Sequence, residues 1–314
     1  MQLSDRIGCR LKLQDLHVLL SVVQAGSMGK AAQRLNSTQP NVSRSIAQLE
    51  HAIGARLLDR CRDGVELTDC GRALLNCGAA AFDDLRQGVK TIQSLLDPTT
   101  GEVRIGCNPF LAAGFVSTVI DQVLRTHPRF VCHLAINEAE TLHQALGERK
   151  LDFLITRKWG PIVDERLDFE LLFEDSFVVV AGAKNRGVGR RRIRLAELVD
   201  EAWVLPPPDS GFGSVTMEAF RGCGCDYPRT SIVVIAPDVR MNLLATGRYL
   251  TIFPASALDY HSRIQGLRAL PVDLPMAHVA NGLVTVRNRT ISPAGQLFIQ
   301  RAREVAKKRG ERNI

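Results

Sequence analysis

No apolar run in the 314 residues approaches the roughly 20 that a bilayer-spanning helix requires, which argues against a membrane anchor. The first residues do not pair a basic start with a short apolar core, so no secretory signal is read there and a cytoplasmic location without a membrane partner is expected. The zinc-hydrolase pattern HExxH, the Walker phosphate loop and the GxSxG elbow are all missing. The glycine-rich turn Ser210, Gly211, Phe212, Gly213, Ser214 lacks phosphate-loop spacing and reads as a pocket rim. Seven histidines are scattered without metal-ligand spacing. The eight cysteines, at 9, 61, 70, 77, 107, 132, 223 and 225, contain no CxxC pair, and a reducing compartment disfavours disulfides among them. Catalytic residues, a metal and a cofactor are therefore not expected.

Charge is present but unevenly placed. The formal net charge is +7, yet residues 184–194 hold six basic side chains and no acid, and residues 301–312 hold six against two. Outside those two stretches the chain is slightly acidic, so the total says little about nucleic acid and local placement says more. The 184–194 stretch reads as a solvated loop. Residues 30–62 carry six Lys/Arg against two acids, and that is where the strongest motif lies.

Within that region, residues 28–35 form a short helix whose small pair, Ala31 and Ala32, lets a second helix cross closely. Asn36 and Ser37 break it, Thr38 suits an N-cap, and Pro40 is tolerated in a first turn. Val42, Ile46, Leu49 and Ile53 then recur at helical spacing as one buried face. Thr38, Gln39, Pro40, Asn41, Ser43, Arg44 and Gln48 are left for a major groove, where arginine forks onto guanine, glutamine or asparagine onto adenine, and proline touches a thymine methyl. A hairpin follows at 57–67 about Asp63–Gly64, a dipeptide that accepts the positive φ of a tight turn. Arg60 and Arg62, two apart on one strand, share a side that fits phosphates or a minor groove. Upstream, Leu13, Leu16, Leu19, Leu20 and Val23 form a packing helix that ends near Gly26.

Helix, helix, turn, helix and wing together resemble the LysR-type transcriptional regulators. The resemblance is carried by Ala25–Gly26–Ser27, Ala31–Ala32–Gln33–Arg34–Leu35, Gln39–Pro40, Ser43–Arg44, Ile46 and Leu49–Glu50. It continues through Gly54, Leu57–Leu58 and Thr68–Asp69–Cys70–Gly71. It is specific across residues 11–75 and architectural beyond them. The family usually has phenylalanine at the positions of Met28 and Leu58, and both replacements stay apolar. Residues 1–10 precede the usual start and read as a loose tail.

Thr68 caps a long helix in which Leu75, Phe82, Leu85, Val89, Ile92 and Leu96 keep a heptad seam. No second heptad helix follows, so the seam calls for a copy of itself, and paired half-sites on DNA need paired motifs. The spacing divides the chain into a winged helix-turn-helix over 11–68, a linker and dimerisation helix over 69–97, and an α/β region over 98–314.

In that last region strands at 103–107, 131–137 and 151–156 alternate with helices at 112–127 and 140–149, which implies a parallel sheet with right-handed crossovers. A second set of strands, at 177–181, 203–205, 231–235 and 249–253, makes a second lobe. A strand at 279–286 returns to the first lobe, and a last helix spans 293–308. The resemblance implies a two-lobed effector domain like the periplasmic binding proteins, with a small inducer in its cleft and assembly as a homodimer or homotetramer. Ligands in such sheets sit beyond strand C-termini, at helix N-termini. That rule selects Asn108, Pro109, Phe110, Glu138, Thr141, Thr156 and Arg157 from the first lobe and Pro207, Ser210 and Phe253 from the second. Arg157 is the natural partner for a carboxylate or phosphate. Glu138 instead suits a polyol or a cation.

The chain therefore reads as a sequence-specific regulator of transcription that binds double-stranded DNA and answers to a small-molecule effector. A redox-responsive regulator of the same architecture is the alternative closest to it. A solute-binding protein with an accessory basic domain is a second, opposed by the missing secretory signal. An enzyme acting on DNA or on the ligand has no supporting constellation.

Overall fold

The structure, a computed structural model, describes residues 11–61, 64–97, 99–158, 164–258, 266–275 and 278–310. They fall into two compact units, one running through Val89 and one beginning at Lys90. The tail at 1–10, Arg62 and Asp63 lie outside the described residues.

In the first unit, α1 (Leu13–Ala25) stops at Gly26, whose φ of 74° is the left-handed geometry that glycine adopts without a Cβ penalty. The Ser27 hydroxyl accepts the Lys30 N–H at 3.2 Å and starts α2 (Met28–Arg34). Thr38 takes the N-cap place of α3 (Gln39–Ile53), with extended backbone but no side-chain capping bond. Ala31 and Ala32 are buried where the three helices meet, around a core that includes Leu19, Val22, Ile46, Leu49 and Leu57. Enclosing each large aliphatic side chain contributes on the order of 2 kcal/mol. Met28 and Leu58 are in that core, so the apolar replacements are accommodated. The buried face of α3 differs at one position from the expected one: Ala52 is enclosed and Ile53 is only half-buried, because the helix ends there at Gly54 (φ 80°).

The wing forms as expected. Strands β1 (Leu58–Cys61) and β2 (Gly64–Leu67) pair antiparallel, with Arg60 opposite Val65. Two contacts fix it to the helices. Glu50 Oε1 accepts the N–H groups of Leu57 (2.8 Å) and Leu58 (3.3 Å), and the Val65 N–H donates to the Gly26 carbonyl (3.2 Å). A Cβ on Gly64 would sit 2.3 Å from that carbonyl oxygen, so only glycine allows the approach.

Helix α4 (Asp69–Leu96) starts on Thr68, whose hydroxyl accepts the Gly71 N–H at 3.0 Å. Its heptad seam is not uniform. Leu75 packs against the core of the first unit and Phe82 meets the ring of His17 edge-on at 5.9 Å. From Leu85 onward the seam is bare, with Leu85, Val89, Ile92 and Leu96 exposed by 52, 55, 58 and 82%.

The second unit has two lobes. The first holds β3 (Thr100–Cys107), β4 (Arg129–Ile136), β5 (Phe153–Arg157), β6 (Leu167–Asp175) and β12 (Val279–Val286), in the order β4-β3-β5-β12-β6. The second holds β7 (Phe177–Gly182), β8 (Trp203–Leu205), β9 (Thr230–Val233), β10 (Leu250–Pro254) and β11 (Leu267–Ala269), in the order β11-β7-β10-β8-β9. Both sheets are mixed rather than parallel. β3, β4 and β5 are mutually parallel as expected, but β12 returns antiparallel to β5 and pairs antiparallel with β6. The parallel expectation fails there because β12 returns from the other lobe instead of following a crossover helix. β6 and β11 escaped sequence reading. β6 alternates apolar and acidic side chains from Leu167 to Leu171 before Leu172 and Phe173 break the pattern, and β11 has three residues.

The helix after β3 begins earlier than expected. Asn108 caps it by accepting the Leu111 N–H at 3.0 Å. The run then passes through α5 (Pro109–Leu111), a π turn (Ala112–Val116) and α6 (Ser117–Thr126). Helices α7 (Ala139–Gly147), α8 (Gly211–Gly222) and α9 (Pro237–Ala245) follow, and α10 (Pro293–Gly310) closes the first lobe through Phe298, Ala302 and Val305. The second lobe packs around Trp203 and Phe220, with the indole N–H given to the Leu198 carbonyl at 2.7 Å.

Candidate nucleic-acid interface and effector cleft

Helix α3 has one face in the core and one face in solvent. Val42, Ile46 and Leu49 are buried, whereas Thr38, Gln39, Pro40, Asn41, Arg44 and Gln48 are exposed and Ser43 is half-buried. His51 and Ala47 extend the open face, and Lys30 and Arg34 of α2 are also exposed. Ser45, by contrast, turns inward and donates to Asp15 Oδ1 at 2.5 Å, which ties α3 to α1. The open face carries donors and acceptors that are solvated and free to exchange water for base edges. Of the wing arginines, Arg60 is placed on β1 opposite Val65, and Arg62 lies outside the described residues.

Between the lobes of the second unit lies a cavity of about 120 Å³. Seven of the ten residues expected at an effector site line it: Asn108, Pro109, Phe110, Glu138, Thr156, Arg157 and Ser210. Three do not. Thr141 is exposed on α7, one turn past the rim. Pro207 stands behind Ser210, its carbonyl accepting the Ser210 N–H (3.0 Å) and hydroxyl (2.7 Å). Phe253 is buried beneath the wall, its ring 4.5 Å from the Arg240 guanidinium. The starts of α7, α8 and α9 all reach the lining through Glu138, Ser210 and Pro237, and their unpaired N–H groups favour negative charge.

Phe110 bridges the lobes. It leaves the end of β3 in the first lobe and lies 5.0 Å from the Phe253 ring and 6.0 Å from that of Phe212, both in the second. The Arg157 guanidinium lies 5.6 Å from Phe110 and 5.8 Å from Phe177, and that of Arg240 lies 5.4 Å from Phe212. Two cations are thus set against four aromatic rings.

Both arginines are withdrawn from water. Arg157 is 6% exposed and Arg240 not at all. Burial pulls the Arg157 guanidinium down to about 10, opposed by Asp175, and pulls Arg240 down to about 9, opposed by Tyr227. Both still carry a full charge near neutrality. Arg240 spends Nε and Nη2 on Thr251 Oγ1 and the Ile252 carbonyl, and its Nη1 has no hydrogen-bond partner among the described residues. Arg157 has none for Nε or Nη2; the nearest carboxylate oxygen, Asp175 Oδ2, is 3.9 Å away and also lacks one.

Arg240, Phe212, Pro206, Gly211, Ala139, Ile235 and Pro237 complete the lining; the glycine-rich rim turn had pointed to Gly211 and Phe212, and the other five were not selected from the sequence. Arg240 sits in the first turn of α9, which Pro237 opens, so a proline-started helix beyond a strand was the signal available. Arginine in such a place usually faces solvent, and only the packing of Thr251, Phe212 and Phe253 around it reveals otherwise.

Among the described residues no helix is long and apolar enough to cross a membrane, and no group of three His, Cys, Asp or Glu is arranged to hold a metal ion. Burial raises the thiols of Cys107 (to about 12), Cys132 (to about 11) and Cys223, away from a reactive thiolate.

A winged helix-turn-helix followed by a long helix and a two-lobed α/β domain defines a DNA-binding regulator with an effector-binding module. The bacterial regulatory helix-turn-helix family of the LysR type matches residues 13–72, and the LysR substrate binding domain matches residues 97–307. The chain belongs to the LysR family of DNA-binding transcriptional regulators. It is 31% identical over 290 residues to the SDS degradation transcriptional activation protein of Pseudomonas sp., covering 90% of this chain and 93% of that one. It is 28% identical over 305 residues to the HTH-type transcriptional regulator TdcA of Escherichia coli, covering 95% of each. Among solved structures, a full-length OxyR variant from Pseudomonas aeruginosa shares the fold, with a TM-score of 0.66 at 18% identity over 95% of both chains.

Proposed function

We propose that α3 reads the major groove through Thr38, Gln39, Pro40, Asn41, Ser43, Arg44 and Gln48, while Arg60 and Arg62 of the wing hold the flanking backbone. A dimer or tetramer built on the bare part of the α4 seam presents two such helices to paired half-sites. A small molecule bound in the cleft, against Asn108, Phe110, Thr156, Arg157 and Ser210, shifts the population between lobe arrangements and so the spacing of the recognition helices. Pro207 and Phe253 support this site from outside its lining. The chain performs no chemistry on the molecule it binds, and it works in the cytoplasm.

The observation that carries this reading is the division of α3 into an enclosed apolar face and an open polar one. Selection of duplexes from a random library with the full chain tests it. The expected product is a two-half-site sequence bound more tightly than random duplex at physiological salt. Equal affinity for selected and random duplexes would refute sequence-specific reading.

A further inference from the structure

Among its buried groups the cleft contains more positive charge than negative. Arg157 and Arg240 are both more than nine-tenths buried and both line the cavity. Asp175, 4% exposed, is the buried acid beside Arg157, and its Oδ1 is committed to the Ser256 N–H at 3.0 Å. No ion pair is formed by Arg240 among the described residues. Two buried cations against one buried anion leave one positive charge uncompensated in a setting where an unpaired charge is costly. The unpartnered donors are specific ones. Nε and Nη2 of Arg157 form the edge that takes a carboxylate through two parallel hydrogen bonds, and Nη1 of Arg240 is a single further donor; all three are covered, so a ligand reaches them by displacing the rings packed on the two guanidiniums. Phe110, Phe212, Ile235, Pro109 and Pro237 give the wall apolar surface beside the neutral polar side chains of Asn108, Thr156 and Ser210, and the volume holds on the order of ten water-sized atoms. Glu138, exposed at the rim, disfavours a second negative group.

We infer that the effector is a small monocarboxylate with a short apolar body, its carboxylate held by Arg157 and reached by Arg240. This rests on the cleft being the effector site and adds the charge and size of what fills it. One negative charge completes the charge count. A neutral molecule leaves the guanidiniums unpaired, and a dicarboxylate of the same size places its second charge against phenyl rings and the Glu138 carboxylate.

The test uses the full chain and five probes of similar size at constant ionic strength: propanoate, butanoate, butanamide, butylamine and succinate. Calorimetric titration and thermal melting are the readouts. Propanoate and butanoate should bind and raise the melting temperature, with butanamide and butylamine silent and succinate at least about tenfold weaker. Arg157→Gln should weaken butanoate by about 10- to 100-fold. Arg240→Met, which removes the charge but keeps an unbranched apolar side chain, should weaken it by at least about tenfold while its circular-dichroism spectrum stays that of the parent chain. That variant separates loss of binding from loss of folding. Silence towards both monocarboxylates, or succinate binding more tightly than butanoate, overturns the inference. Butanamide binding that is lost in Phe212→Ala would also overturn it while keeping the cleft as the effector site. Butanoate binding unchanged in both arginine variants would overturn the inference and the cleft assignment together.

Discussion

Arginine plays opposite parts in the two units. On α3, Arg44 stands in solvent, makes no ion pair among the described residues, and costs the fold nothing by its charge. In the cleft, Arg157 and Arg240 are enclosed by rings with donors unspent. The first arrangement suits a large, hydrated polyanion whose contacts are formed and broken while searching a duplex. The second suits a small ligand that is wholly desolvated, where each hydrogen bond is worth more because no water competes. One residue type thus suits two kinds of recognition, and burial decides which.

The same contrast predicts where substitutions act. The largest effect belongs to the bare seam of α4, an exposed apolar surface with no counterpart in either site. Leu85→Asp combined with Val89→Asp should weaken self-association by more than about 1000-fold, since two carboxylates would enter an apolar seam in each chain. Sedimentation velocity checks it, and a retained dimer would move the interface elsewhere. Next is Arg44→Ala, which should lose about 1–3 kcal/mol of discrimination at one base pair. Its unfolding free energy should stay within about 0.5 kcal/mol of the parent, as for other exposed positions. Competition between half-site variants, with a denaturant melt alongside, reads both quantities. If stability falls and discrimination does not, Arg44 belongs to the fold rather than to the reader.

Thr68→Ala removes the hydroxyl that receives the Gly71 N–H and should cost about 1 kcal/mol in the first unit, visible as a shifted denaturant midpoint. The smallest effect concerns the cysteines. Iodoacetamide at mildly alkaline pH should label exposed Cys61, Cys70 and Cys77 while leaving Cys107 untouched, because burial holds that thiol near 12 and excludes the reagent. Rapid labelling of Cys107, read by peptide mass, would show the first lobe opening far more than its packing implies.

The amino-terminal unit was legible because its signals are local. Val42, Ile46 and Leu49 recur within two turns, Asp63–Gly64 marks the wing, and Gly26 ends α1 where expected. The cleft was legible by rule rather than by residue. The rule that ligands sit beyond strand ends found Asn108, Glu138, Thr156, Arg157 and Ser210, since each ends or follows a strand or opens a helix. It overreached at Thr141, one turn too far along α7, and at Phe253, which ends in the core under Arg240. It missed Arg240 and Phe212 because their roles depend on Thr251 and Phe110, residues distant in sequence. The mixed sheets were hidden for the same reason: β12 meets β5 across 120-odd residues, a pairing no local pattern records.

The central claim is that the solvated face of α3 is the surface that meets duplex DNA. Hydroxyl-radical footprinting of the full chain, with and without a selected duplex, tests it most directly. The α3 peptide carrying Pro40 and His51 should lose reactivity on binding while the exposed Leu13 at the start of α1 should not. An α3 peptide that stays reactive in the complex, with protection appearing on another surface, would contradict it.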